Sequence, residues 1–211
     1  MISLDETFNL GRDIQVFLQD GFAEIYAQNE DILSHVKQSW PERGIIDLLV
    51  QRSSGQFIYA ATVLKFVSAD FCNPTTQLAL ILKPDPSAFS DLDQLYTQIL
   101  SVYPSTVNIV QVLGIIVAFD ARTLTPEVIG DILEMERGDV MLVLRCLSSL
   151  IAFVEDGDER GSVYFTHASF GDYLEDPSRS GPFHVNKWEY KNQTTIRCFS
   201  LIFRWIGRSW R

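Results

Sequence analysis

Apolar positions recur at helical spacing through most of the chain, and the period shortens to two only near residue 150. Ile14, Phe17, Leu18, Phe22, Ile25 and Tyr26 form the first helical stripe after the stretch NLGRD, with Gly21 a weak point in its middle. Ile45, Ile46, Leu49 and Val50 give a second helix its apolar face, and Gly55 is placed to stop it. The next stretch, QFIYAATVLKFVSA, is apolar nearly all round and predicts a buried helix. A short helix over NPTTQLALIL gives way to the proline-bearing loop KPDPSAFSDLD. Ser90 or Asp91 then caps a helix that turns Leu92, Leu95, Ile99 and Leu100 inward. Residues 10–103 therefore read as a helical bundle of five elements. The opening MISL has the character of a strand end, which sets residues 1–9 apart.

The second half begins with a helix over STVNIVQVLGIIVAF. TLTPEVIGDIL follows, with Thr125 as cap, Pro126 at the first helical position and Leu124 placed as a hydrophobic staple. GDVMLVLRCLSSL predicts a third helix, opened by Asp139. The period of two then marks IAFV and SVYFTH as strands, joined by the charged, glycine-bearing EDGDERG as a hairpin loop. Three helices followed by a β-hairpin is the order of a winged helix, here over residues 104–176. The fold class expected is mainly α, a helical bundle followed by a winged-helix domain with a small β-hairpin. Residues 177–211 add a loop and an amphipathic helix with Ile196, Phe199, Ile202, Phe203 and Ile206 on one face. No internal repeat is visible at a period of about 20–50 residues.

Charge separates the last segment from the rest. Residues 1–100 carry 6 basic and 13 acidic side chains (net −7), residues 101–175 carry 4 and 12 (net −8), and residues 176–211 carry 7 and 2 (net +5), which gives the chain its net −10. That balance argues against a nucleic-acid partner, which needs basic surface to neutralise phosphates. The third helix offers Arg145 and little else to a base edge, and reads as a buried helix rather than a DNA reader. The basic C-terminal helix fits an anionic membrane surface. Docking onto a domain is the commoner use of a terminal helix with one apolar stripe, so a membrane partner is not expected. Cys72, Cys146 and Cys198 have neither metal-ligand spacing nor an even count, which points to a reducing, cytoplasmic setting. The acidic start lacks the apolar core of a signal peptide, and no uncharged apolar run reaches the length of a membrane span. Asn192 heads a glycosylation acceptor triplet, read as chance without a secretory signal.

The residues that could carry chemistry are few. No glycine in the chain is followed by lysine, so the phosphate-cradling P-loop is absent. GIIVAFDAR resembles an apolar strand ending in a Mg²⁺-holding aspartate, but its helical pattern reads instead as core, with a turn beginning at Asp120. Ser169, His167 and Asp172 suggest a hydrolase triad, yet successive strand residues face opposite ways and no nucleophile elbow precedes the serine. His35 and His184 lack partners at ligand spacing and read as surface or loop residues. His167, in YFTHASFGDYLED, is open to two readings: a phosphate contact, or a satisfied residue at a strand–helix junction.

The stretches RDIQVFLQDGFAEI, WPERGIIDLLVQRSSGQFIYAATVLKFV, DLDQLYTQIL, LTPEVIGDIL and YFTHASFGDYLEDPSRSGPFHV occur in this order over most of residues 2–200. They resemble the middle part of fungal NACHT-domain proteins, members of the signal-transduction ATPase class with numerous domains. SGQFIYAATV and FTHASFGDYLEDPSRSGPFHV are the specific signals. The resemblance implies that residues 1–9 end an NTPase core, that 10–103 form its helical lid and that 104–176 form its winged helix. It further implies a nucleotide-controlled switch of the kind tied to fungal non-self recognition and cell death. In such switches ADP holds lid and winged helix closed, and ATP opens them to oligomerise. By the same resemblance His167 matches the histidine that reaches the β-phosphate of ADP. Gly55 and Phe57 fall in the lid motif beside the adenine and ribose, where Gln56 and Phe57 stand for the Leu-Pro pair of relatives.

Without a P-loop or a Mg²⁺ aspartate, this chain is expected to be a non-catalytic regulatory or interaction fragment. It would have no cofactor of its own, and its partner would be an NTPase core or a second copy. A residual ADP/ATP-binding module and a peripheral membrane adaptor are the alternatives.

Overall fold

The computed structural model describes residues 4–36, 40–70, 72–83, 90–103, 106–119, 125–154 and 162–209, with side chains described except at 4–9, 154 and 200–209. Among the described residues the protein is mainly helical, with one small two-stranded antiparallel sheet. It divides into two compact units, Met1–Ile99 and Leu100–Arg211. The division falls in the last turn of a helix, four residues before the boundary expected at 103/104, and the C-terminal helix belongs to the second unit.

The first unit is built from α1 (Leu4–Gln28), α2 (Glu30–Leu33), α3 (Arg43–Ser53), α4 (Phe57–Val67), α5 (Pro74–Ile81) and α6 (Asp91–Ser101). The five expected helices are present, and α2 adds a single turn. The strand expected at the start is corrected: Leu4–Asn9 are the first turns of α1, while residues 1–3 lie outside the described residues. Ile14, Leu18, Phe22 and Ile25 recur every three or four residues, so a continuous helix buries them together against α3 and α4. α4 buries Tyr59, Ala60, Val63, Phe66 and Val67 within the core. α3 stops where Ser54 (φ 49°) and Gly55 (φ 78°) take left-handed backbone, and Ser54 donates its N–H to the Gln51 carbonyl. Of the two candidate caps for α6, Ser90 is the one used: its Oγ accepts from the Asp93 N–H at 3.1 Å.

The second unit runs α7 (Thr106–Ala118), α8 (Pro126–Leu133), α9 (Arg137–Cys146), β1 (Ile151–Val154), β2 (Ser162–Phe165), α10 (Ala168–Glu175), α11 (Pro177–Ser180), a 3₁₀ turn (Gly181–Phe183) and α12 (Lys187–Ser209). α7 is its central post, buried from Val112 to Ala118. The Thr125 side chain caps α8 by accepting from the Val128 N–H at 3.3 Å, with Pro126 at the first helical position. Leu124 and Asp120 lie outside the described residues. Asp139 does not open α9: the helix starts at Arg137, after Glu136 in extended backbone, and Asp139 sits in its first turn. Nor is α9 buried all round. Val140, Val143 and Leu144 face the core, while Leu142 (62 % exposed), Asp139 and Arg145 face solvent. That outer face holds no run of basic side chains. β1 and β2 pair with Ile151 opposite Phe165 and Phe153 opposite Val163.

The C-terminal helix packs through a face other than the one that carries Ile196 and Phe199, while the side chains of Ile202, Phe203 and Ile206 lie outside the described residues. α12 lies against α7 and α8 through Tyr190, Thr194 and Arg197. The Tyr190 ring occupies the space beside Gly114, and Arg197 Nη1 donates to the Ile132 carbonyl at 3.2 Å near the C-terminal end of α8. Ile196 and Phe199 are 66 % and 58 % exposed. An inward face chosen by a polar–aromatic interlock cannot be read from apolar periodicity alone.

Candidate functional site

His167 stands at the junction of β2 and α10. Thr166, the residue before it, fixes the end of the strand: both its N–H (3.0 Å) and its Oγ1 (3.1 Å) donate to the Leu150 carbonyl. Phe170 and Tyr173, both fully buried, hold α10 down from the other side. Phe165 meets Phe170 edge-on at 5.2 Å, and Phe170 stacks with Tyr173 at 6.2 Å. The backbone at His167 is thereby held extended (φ −150°, ψ 141°), as a helix cap requires.

The imidazole is that cap. Ser169 donates its backbone N–H to His167 Nδ1 at 3.1 Å, and the Ser169 hydroxyl lies 2.7 Å from the same nitrogen. A cap of this kind needs a lone pair on Nδ1, so the network assigns the ring proton to Nε2. Nε2 has no partner among the described residues, and the residue is exposed. The junction thus offers one N–H donor to solvent from a ring whose other nitrogen is tied to the backbone. A proton on Nδ1 would remove the cap, so the donor offered is the neutral ring's Nε2–H. The Ser169–His167 contact is likewise the cap, with the serine hydroxyl engaged at the same Nδ1 as the Ser169 N–H.

Much of the remaining motif is accounted for by local structure. Asp176 caps α11, its Oδ1 accepting from the Ser178 N–H at 2.9 Å, and hydrogen bonding from Ser178 holds its carboxyl below the usual range. Buried Ser180 donates to the Asp176 carbonyl, Gly181 takes positive φ (51°), and Phe183 and Val185 are buried. His167 is the motif's outward-facing polar ring that these roles leave available.

Gly55 and Phe57 lie together at the α3–α4 corner of the first unit, whereas His167 belongs to the second. Gly55 has open space where a Cβ would stand. Phe57, the first residue of α4, is 41 % exposed and sets its ring edge-on to Phe17 at 5.8 Å. His35 is exposed in a turn and His184 half-buried in a loop, and no group of three or more metal-ligating side chains occurs among the described residues. What the sequence reading missed in the first unit is Arg52. Its Nη1 donates to the Ile81 carbonyl at 3.0 Å, and its charge acts on buried Tyr59. A lone arginine in a helix ending in Ser-Ser-Gly gives no sign of such partners.

Capping by His167 has a measurable consequence. His167→Ala is expected to lower the stability of the second unit by about 1 kcal/mol, read as a lower thermal midpoint. His167→Asn keeps a cap acceptor and should recover most of that loss while removing the ring donor.

The chain matches no protein-family model, no curated protein and no solved structure.

Proposed function

We propose that this chain is the lid and winged-helix region of a NACHT-type nucleotide-controlled signalling switch, acting as a non-catalytic regulatory or interaction module. The observation that carries the reading is the His167 junction. A histidine locked through Nδ1 presents Nε2–H outward in a fixed direction, which is what a donor to a phosphate oxygen needs. The order of helices and hairpin in the second unit supports the winged-helix part. The mostly helical first unit, with the Gly55–Phe57 corner at its surface, supports the lid part. With no P-loop in the chain, the phosphate-cradling backbone would come from an ATPase core, and His167 would complete the contact.

Calorimetric titration with ADP and ATP at millimolar concentration tests this. The expected result is no saturable heat and no phosphate release from the chain alone, together with ADP-dependent retention of a P-loop core on the immobilised chain. The His167→Asn variant should lose that retention while keeping its fold. Saturable binding to the isolated chain, lost in His167→Asn, would replace this reading by a residual nucleotide-binding module.

A further inference from the structure

A small polar cavity lies where α12 meets α7 and α8, with a volume of about 50 Å³. Its polar lining is Gln111 from α7 and Tyr190, Gln193, Thr194 and Arg197 from α12, and Ile115 and Leu133 close it with aliphatic surface. Gln193 and Arg197 are exposed, so the cavity opens to solvent on their side. A single water needs roughly 10–15 Å³, so the space takes a few waters or one small ion.

Thr194 is only 2 % exposed, yet its hydroxyl has no hydrogen-bond partner among the described residues. An unpaired hydroxyl so deeply buried is costly, and buried polar groups are as a rule satisfied. The half-buried Gln111 amide and the Tyr190 hydroxyl also lack a partner among the described residues. The charge in the lining is that of Arg197. Its Nη1 donates to the Ile132 carbonyl at 3.2 Å, which leaves further guanidinium N–H groups. Glu189 is not in the lining, and its carboxylate accepts from Gln193 Nε2 at 3.0 Å on the exposed side of α12. Burial pushes the Tyr190 hydroxyl above its usual range, with Glu189 adding to the shift and Arg197 opposing it, so the phenol holds its proton and can donate. Hydroxyl, phenol, amide and guanidinium thus surround one small space without a carboxylate among them. Water would satisfy the hydroxyls and leave the charge unused, whereas an anion uses both.

We propose that the cavity between α7, α8 and α12 binds a small inorganic anion, held by Arg197 and the Thr194 hydroxyl, with Gln111 completing the site from α7. The ion ties the C-terminal helix to the rest of the second unit. The inference is independent of the nucleotide-switch reading, since it uses neither His167 nor the first unit.

Chloride and phosphate are the probes, each titrated into the full chain against sodium gluconate at fixed ionic strength. Gluconate is an anion too large for the cavity. The thermal midpoint should rise saturably with chloride or phosphate, and hydrogen exchange in α12 should slow over the same concentrations. Line broadening in chloride NMR reads occupancy directly, and phosphate should relieve that broadening if the oxyanion is the better fit. Thr194→Val keeps the shape and removes the hydroxyl, and should weaken the apparent affinity at least about tenfold. If that variant misfolds, Gln111→Leu carries the same readout. No saturable rise with either probe, as for a cavity that holds water only, overturns the proposal. So does an equal rise with gluconate, which marks general salt screening, or an affinity unchanged in the variants.

Discussion

Gly114→Ala should destabilise the second unit by about 3 kcal/mol, with the loss centred on the α7–α12 contact. A Cβ at Gly114 would stand 2.2 Å from Tyr190 Cε1 and 2.4 Å from both Cδ1 and Cζ. The obstacle is a rigid ring half-buried between helices, so relief requires Tyr190 to leave its place or α12 to lift. Either movement strains the Arg197–Ile132 hydrogen bond at the end of α8. Gly21→Ala is the internal control. The atoms met there belong to Leu64, with Cδ1 at 2.3 Å, and its half-buried flexible side chain can swing away. The remaining strain is opposed by the gain of about 1 kcal/mol that alanine brings to a helix interior, so Gly21→Ala should be near neutral. Hydrogen exchange read by mass spectrometry separates the two outcomes: protection should fall in α7 and α12 for Gly114→Ala and stay unchanged for Gly21→Ala. Tyr190→Ala in the Gly114→Ala background should recover part of the loss, because the overlap disappears with the ring.

Arg52→Ala should cost the first unit about 2–3 kcal/mol. The Arg52 side chain is only 14 % exposed and links four helices. From α3 it donates to the Ile81 carbonyl at the end of α5, sets its charge near the Tyr59 hydroxyl of α4, and lies 4.0 Å from Asp91 Oδ1 at the start of α6. The Asp91 pair is partly exposed and contributes little. The larger loss is the Ile81 carbonyl left without its donor. Lysine at this position keeps a charge but lacks the fork that reaches several acceptors, so Arg52→Lys should restore only part.

The same cluster gives the first unit an alkaline limit. Burial pushes the Tyr59 hydroxyl up to about 12, against the opposing pull of Arg52. The folded state therefore holds the phenolic proton more tightly than the unfolded chain does. Its contribution is complete below the unfolded value of about 10 and is lost as pH rises from there through about 12. Denaturation midpoints of the native chain should fall across that window, by roughly 2–3 kcal/mol in total. The decline should flatten in Tyr59→Phe.

Where neighbouring residues decide a feature, the sequence was legible. Thr125-Pro126 and the pair Ser90-Asp91 announce helix starts because a side-chain oxygen two or three residues from an unpaired N–H acts locally. Alternation in IAFV and SVYF announces the hairpin because successive strand residues must face opposite ways. Leu4–Asn9 were misread because a short apolar run carries too little period to separate strand from helix. Asp139 was misplaced as a cap because Glu136 and Arg137 extend α9 by a turn without a capping side chain.

The sequence by itself determined the longer helices, the hairpin, the stop at Gly55 and the basic character of the last segment. These follow from period, caps and charge, all set within a few residues. Only the tertiary structure decided which face of α12 turns inward, since that depends on Tyr190 meeting a glycine 76 positions earlier in the chain. It also decided that Arg52 serves carbonyl and carboxylate partners from other helices, contacts that no local spacing encodes. For His167 it decided which ring nitrogen faces solvent. The histidine was visible as a candidate in YFTHASF, but its available donor was fixed by packing that holds β2 and α10 at one angle and commits Nδ1 to the Ser169 N–H.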